Sequence, residues 1–255
     1  QKTKKYKTAI IGSGWWGMNI VGEAVASGEC DLVAMCDVDE NQLKIADKKL
    51  AKMTSKTAKH YKDYRELLAN EKPDIVIVGS PDHWHALHTI AAIKAGADVY
   101  VEKPIGHTIY EGRAMVKAAR EYERIVQVGT HRRVSPHNMA AIKFLQQGGA
   151  GTVGLIHAFV PNSGGAGRPT PDSKIPDGLD WDMWCGPAPY RPFNKSMHPK
   201  GFRQFLDYGN GVLGDWGIHW LDHVQWWSGE KYPKSVHSLA ARHIKQDSTD
   251  APDTQ

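Results

Sequence analysis

The chain has 255 residues, 41% of them hydrophobic and 24% charged, with 25 Gly and 14 Pro, the profile of one or two compact domains with ample core. That composition excludes a disordered, collagen-like or coiled-coil chain, and no stretch approaches the roughly 20 uncharged apolar residues of a membrane helix. The 32 Lys and Arg against 28 Asp and Glu leave a net charge of +4, and the whole excess lies in residues 1–62 as Lys interleaved with Asp and Gln, a solvated face and not a nucleic-acid footprint.

From Tyr6 to about Val128 short apolar runs alternate with helical patterns, the rhythm of βαβ units and of a parallel sheet covered on both faces. Strands are predicted at 6–11, 31–36, 74–78, 98–101 and 124–128. Between them Gly28 and Gly96 read as helix C-caps, and Asp63 with Glu66 and Thr108 with Glu111 as capping boxes. Ser135 followed by Pro136 opens a further helix that closes at Gly148-Gly149. Beyond it the spacing predicts a strand over 152–160, an irregular Gly-, Pro-, Asn- and Trp-rich excursion over 161–214, a helix at about 215–228 and a last strand over 235–243.

The fold class is therefore α/β, divided into a first domain over 1–129 and a second over 130–255. Two strands and one helix cannot easily bury a sheet face, so the second domain is expected to be truncated. The opening Gln-Lys-Thr-Lys-Lys has no initiator Met and no apolar signal core, which points to a segment removed or never included. Cys30, Cys36 and Cys185 lack CxxC spacing, which indicates neither a disulfide framework nor a cysteine metal site.

Gly12-Ser13-Gly14-Trp15-Trp16-Gly17 stands directly after the first strand and opens a helix. There GxGxxG carries a mechanism: a tight turn at Gly12, close approach to a pyrophosphate at Gly14, and close helix packing at Gly17. Asp37 ends the second strand, where a carboxylate accepts from both hydroxyls of an adenosine ribose and repels a 2′-phosphate; with no Arg in residues 1–62, NAD is favoured over NADP. Glu102-Lys103-Pro104 leaves the carboxyl end of the strand at 98–101, where a Lys ammonium can stabilise a developing alkoxide. In the segment Gly211 to Asp222, Asp215 is placed to cap a helix with His219 one turn on, a carboxylate and an imidazole on one face. His219 with His223, and the cluster of His83, His85 and His88, raise a zinc reading, but spacing assigns no third ligand to either group and no metal is expected.

With these residues the chain resembles the Gfo/Idh/MocA oxidoreductases, through GxGxxG and Asp37, Ser80-Pro81-Asp82-His83-Trp84-His85, Glu102-Lys103-Pro104, Gly129-Thr130-His131-Arg132-Arg133 and Gly211 to Asp222. The resemblance implies an N-terminal Rossmann domain and a C-terminal α/β domain on a large open antiparallel sheet, with homo-oligomer contacts through that sheet where it is complete. It places Lys103, Asp215 and His219 as the catalytic set, and the loop from Gly12 to Gly17, Asp37, Ser80, Pro81, His85, Glu102 and Lys103 around the cofactor. Arg133 falls on a basic position near cofactor or substrate, while His131 stands where many members have Gln. The segment Leu179 to Pro189 is similar to a subgroup whose members often carry an export signal, so periplasmic and cytoplasmic placements are both compatible.

The activity implied is oxidation of a secondary hydroxyl on a sugar or polyol, with hydride passing to NAD and the proton to His219. Trp181, Trp184, Arg203, Tyr208 and Trp216 are expected to bind the sugar together with Arg133 and His219. Two alternatives share the residues: NAD-dependent glycoside cleavage through a transient ketone, and a nucleotide-binding sensor without chemistry. Neither a nucleic-acid partner nor a membrane span is expected.

Overall fold

A computed structural model of the chain describes residues 5–160 and 165–253. Its frame is a six-stranded, all-parallel sheet in the order β3-β2-β1-β4-β5-β6. The strands are β1 (Tyr6–Ile11), β2 (Cys30–Cys36), β3 (Lys59–Tyr61), β4 (Ile75–Val78), β5 (Asp98–Glu102) and β6 (Val126–Gly129). The chain fills one side of β1 first and then the other, so the order reverses between β1 and β4. A crevice opens there at the carboxyl ends of the strands, where open α/β sheets hold ligands.

Side-chain alternation explains the layers. Ile10, Leu32, Met35 and Ile77 point to one face, against Met18 and Val21 of α1 (Gly17–Ala26) and Leu43, Ala46 and Leu50 of α2 (Glu40–Met53). Ala9, Ile11, Val76, Val78, Val99 and Val101 point to the other. They are covered by α3 (Tyr64–Glu71), α4 (His85–Lys94) and α5 (Ile109–Glu121), which contribute Leu67, Ala92, Ile93 and Met115. Both faces are dry, so the strands read as continuous apolar runs. The start of α5 carries the full Thr108–Glu111 capping box; at α3 only Asp63 acts, accepting from Arg65 N at 2.8 Å.

Past β6 the expectations meet corrections. The helix after Ser135 forms as α6 (Pro136–Gln146), but 152–160 and 235–243 do not pair as strands with any described segment. A strand exists only through its partner's hydrogen bonds, and these stretches lie largely in solvent, Leu155 and Phe159 being 84% and 71% exposed. Among the described residues the parallel sheet is the only one. The excursion, in contrast, folds around its own aromatic core. Trp181 and Trp184 of α7 (Trp181–Cys185) stack at 4.5 Å and pack with Phe193, Met197, Phe202, Phe205 and Tyr208. This module docks on the end of β2: Asp180 N donates to Val38 O and Glu40 N to Gly178 O, at 2.9 and 3.0 Å. The last helix, α8 (Ile218–Ser228), packs on α6 and is preceded by a π-helical turn over Leu213–Gly217. Asp215 therefore lies inside helical backbone and caps nothing.

Gly12 sits at φ +90°, and a Cβ there would collide with the Ser80 backbone. Neither demand can be met by a side-chain rotamer. Gly12→Ala is expected to lower the melting temperature by on the order of 5 °C and to weaken dinucleotide binding, both measurable by thermal shift with and without NADH.

Candidate active site

Two clefts meet at the sheet edge. The first, about 840 Å³ of open space, is lined by the loop Gly12 to Trp16, by Asp37 and Val38 after β2, and by Gly79, Ser80 and Pro81 after β4. The aromatic module closes its far side with Met183, His198, Pro199 and Arg203. Gly17 lies beneath the loop, where a Cβ would strike Gly12 O; at Gly14 a Cβ would meet nothing within 4 Å, leaving a hollow against bare backbone. Asp37 accepts from Ser13 N at 2.8 Å and Ser13 Oγ at 3.0 Å, and its other oxygen from Asp39 N at 3.0 Å. Burial raises its pKa, and these donors oppose the rise. Lys62 at this end is engaged with Glu40 at 2.6 Å, so among the described residues no cation pairs with Asp37. The hollow over Gly14 and the uncompensated carboxylate ending β2 fit a dinucleotide whose adenosine ribose carries no phosphate.

The second cleft continues from the first past Trp15, Trp16, Gly79, Ser80 and Arg203, and encloses Asp82, His85, Glu102, Lys103, His131, Arg132, Asp215, Trp216 and His219. Lys103 leaves β5 with its side chain 11% exposed, and its Nζ donates to Asp215 Oδ1 at 2.6 Å and to Asp215 O at 2.8 Å. Arg203 Nε lies 3.2 Å from the same Oδ1. The Asp215 carboxylate is thus turned to Lys103 and Arg203, where the sequence placed it beside His219. His219 is buried, and its pKa is pushed down to about 4, chiefly by burial and then by the charges of Lys103, His131 and Arg132. Its imidazole is neutral at neutral pH and holds a free lone pair. The His131 ring stands 4.8 Å from it, edge to face.

His85 fastens two strand ends together. Its Nδ1 faces Pro104 O at 2.6 Å and its Nε2 faces Ser80 O at 2.8 Å, so burial pushes its pKa down while the two carbonyls pull it back. Glu102 is buried beside Lys103 N at 3.2 Å, and burial raises its pKa. His83 faces Trp184 O at 3.0 Å, and Trp84 Nε1 donates to the same oxygen at 3.0 Å, tying the aromatic module to the sheet edge. Among the described residues no group of three His, Cys, Asp or Glu could hold a metal ion, and no helix is long and apolar enough to cross a membrane.

Several residues expected at the sugar stand elsewhere. Trp181 and Tyr208 are core residues, 2% and 0% exposed, with Trp181 Nε1 donating to Arg191 O at 2.7 Å and Tyr208 OH to Pro189 O at 2.5 Å. Trp184 is buried against Trp181 and reaches only the dinucleotide cleft. Arg133 turns away from the cleft to a bidentate pair with Asp222, at 2.7 to 3.0 Å. Its neighbour Arg132 faces the cleft instead, because the 3₁₀ turn His131–Val134 sends successive side chains in different directions. Arg203, Trp216 and His219 do line the second cleft.

Asp82, passed over in the sequence, is the further carboxylate of that cleft, 3% exposed. Its only early signal was its place inside Ser80 to His85. Burial pushes its pKa up to about 7 against the pull of Arg203 and Lys103. A carboxyl that is neutral in the folded chain and ionised when unfolded stabilises below about pH 4, and that contribution is lost as pH rises through about 7. Asp82→Asn, which fixes the neutral form, is expected to melt higher relative to the parent at pH 8 than at pH 4, by on the order of 5 °C. A melting difference independent of pH would contradict the assignment.

Comparison with known proteins agrees with this geometry. Residues 6–130 match the oxidoreductase family's NAD-binding Rossmann fold, and residues 163–252 match its C-terminal alpha/beta domain. D-glucoside 3-dehydrogenase of Escherichia coli K12 is 28% identical over 243 residues, 93% of this chain and 58% of that protein. The crystal structure of myo-inositol 2-dehydrogenase from Lactobacillus plantarum is 29% identical with a TM-score of 0.52, over 59% of this chain and 43% of that one. Scyllo-inositol dehydrogenase from Lactobacillus casei, solved with NAD(H) and scyllo-inositol, shares the fold at 21% identity and a TM-score of 0.62, over 89% of this chain and 57% of that one. The chain spans about half the length of the curated relatives it matches. With both family domains present in order and the glycine loop, Lys103 and His219 on one sheet edge, the chain belongs to the Gfo/Idh/MocA oxidoreductase family.

Proposed function

We propose that this chain, with residues 1–129 as cofactor domain and 130–255 as substrate domain, oxidises a secondary hydroxyl of a sugar or polyol. The observation that carries the reading is convergence: Lys103 from β5 and His219 from α8 line one cleft that opens directly into the glycine-loop cleft. Bound NAD supplies the hydride acceptor. The side chains supply the rest. Lys103 Nζ, held by Asp215, donates to the substrate oxygen and stabilises the alkoxide as it forms. Neutral His219 takes the hydroxyl proton on its free ring nitrogen, which its low pKa keeps available. Asp215 positions the ammonium, Arg203 steadies Asp215, and Trp216, 46% exposed at the cleft, offers an apolar face to the sugar ring.

The exposed apolar residues of 152–160 and 235–243, among them Leu155, Phe159, Val236 and Leu239, support a place for both segments in an open antiparallel sheet through which the protein forms a homo-oligomer. The function is tested by loading the protein with NAD and screening sugars and polyols for net reduced nicotinamide by absorbance. Accumulation with at least one of them is expected. Release of an aglycone from glycosides without net reduction would instead identify the redox-neutral cleavage route.

A further inference from the structure

The geometry points to a substrate that carries an anionic substituent, a carboxylate or phosphate, received by Arg132; this rests on the second cleft being where the hydroxyl is oxidised. Arg132 lines that cleft, and among the described residues no carboxylate forms an ion pair with it. Its Nε is buried with no hydrogen-bond partner. The guanidinium lies over the Trp220 ring at 4.5 Å, which covers one face of the plane and leaves its N–H edge to meet an acceptor. Gln204 Oε1, in the same cleft, is likewise buried and without a partner.

The rest of the cleft does not satisfy this charge. Lys103 and Arg203 share Asp215. Glu102 accepts from the Lys103 backbone, and Asp82 faces Lys103 and Arg203. Arg132 is near enough to His219 for its charge to help push that imidazole down. A half-buried cation without an acceptor is costly, and a bidentate carboxylate or phosphate is the ligand that matches the guanidinium fork.

The dinucleotide is not that ligand. Its phosphates belong at the loop after β1, whereas Arg132 follows β6, three strands away in the sheet order, and does not line the glycine-loop cleft. Lys200, over the Trp15 ring at 5.1 Å, lines the second cleft where it adjoins the glycine loop and adds a further positive charge there.

The test pairs neutral hexoses and polyols with their uronates and their terminal phosphates, at fixed ionic strength, on the NAD-loaded protein. The anionic member of a pair is expected to exceed its parent in kcat/KM by on the order of tenfold to a hundredfold. That ratio collapses toward one in Arg132→Gln and recovers in part in Arg132→Lys, which keeps the charge and loses the fork. The uronate and phosphate arms show which anion fits. Equal kcat/KM within pairs, or a ratio that survives Arg132→Gln, overturns the inference. The same pairs titrated calorimetrically into NADH-loaded protein separate the two readings. Anion-selective binding without any turnover counts against the oxidation alone, and binding indifferent to charge counts against Arg132 alone.

Discussion

Lys103→Met is expected to lower kcat by on the order of 10² to 10³ while the dissociation constant for NADH changes by no more than a few-fold. The ammonium has no hydrogen bond to the glycine loop; its partners are two oxygens of Asp215, the backbone carbonyl and Oδ1. Under the proposed oxidation its removal takes away charge stabilisation where the alkoxide would form and leaves the dinucleotide cleft standing. Asp215 keeps Arg203 at 3.2 Å, so its half-buried carboxylate is not left without a cation and the variant is expected to fold. Lys103→Arg retains the charge but not the point geometry, and is expected to recover only part of the loss. Stopped-flow measurement of a single turnover checks this, because it isolates chemistry from product release. Normal turnover in Lys103→Met would remove Lys103 from the mechanism.

His219→Gln gives the second large effect, a fall in kcat of on the order of 10² to 10⁴. A pH signature goes with it. A base works when unprotonated, and His219 is held down to about 4 by burial and by Lys103, His131 and Arg132. The parent's kcat/KM should therefore be level from neutral pH down to roughly pH 5 and fall only as pH drops through about 4. An acidic limb near the ordinary imidazole pKa of about 6.5, or the same limb in His219→Gln, would contradict the role.

The first half of the fold was legible because each strand is buried on both faces and so announces itself as a short apolar run, and because the glycine loop and Asp37 stand at fixed places relative to β1 and β2. The strand β3 was not. Lys59–Tyr61 is a three-residue edge strand with no apolar run, formed by its pairing with β2. In the second half the limit was burial. Trp181, Trp184, Tyr208 and Trp216 look alike as candidates to stack on a sugar, yet the first three close a core on one another and of the four only Trp216 faces the second cleft. No periodicity distinguishes them, because the module is held by contacts such as Trp181 Nε1 to Arg191 O.

The partnership of the site was hidden for a different reason. Asp215 and His219 are neighbours in sequence, so the sequence pairs them; Lys103 lies 112 positions away and takes the carboxylate in space. Likewise Arg132 and Arg133 are adjacent, and one turn of 3₁₀ helix decides which meets Asp222 and which faces the cleft. Motifs brought residues to the cleft to within a residue or two. Orientation needed the packed fold.

The most direct measurement is a crystal structure of the chain with NAD and a sugar acid soaked together. The nicotinamide ring is expected in the second cleft, its reactive carbon facing a substrate carbon whose hydroxyl lies within hydrogen-bonding reach of both Lys103 Nζ and the His219 ring. A nicotinamide ring lodged elsewhere, with Lys103 and His219 on the side away from it, would contradict it.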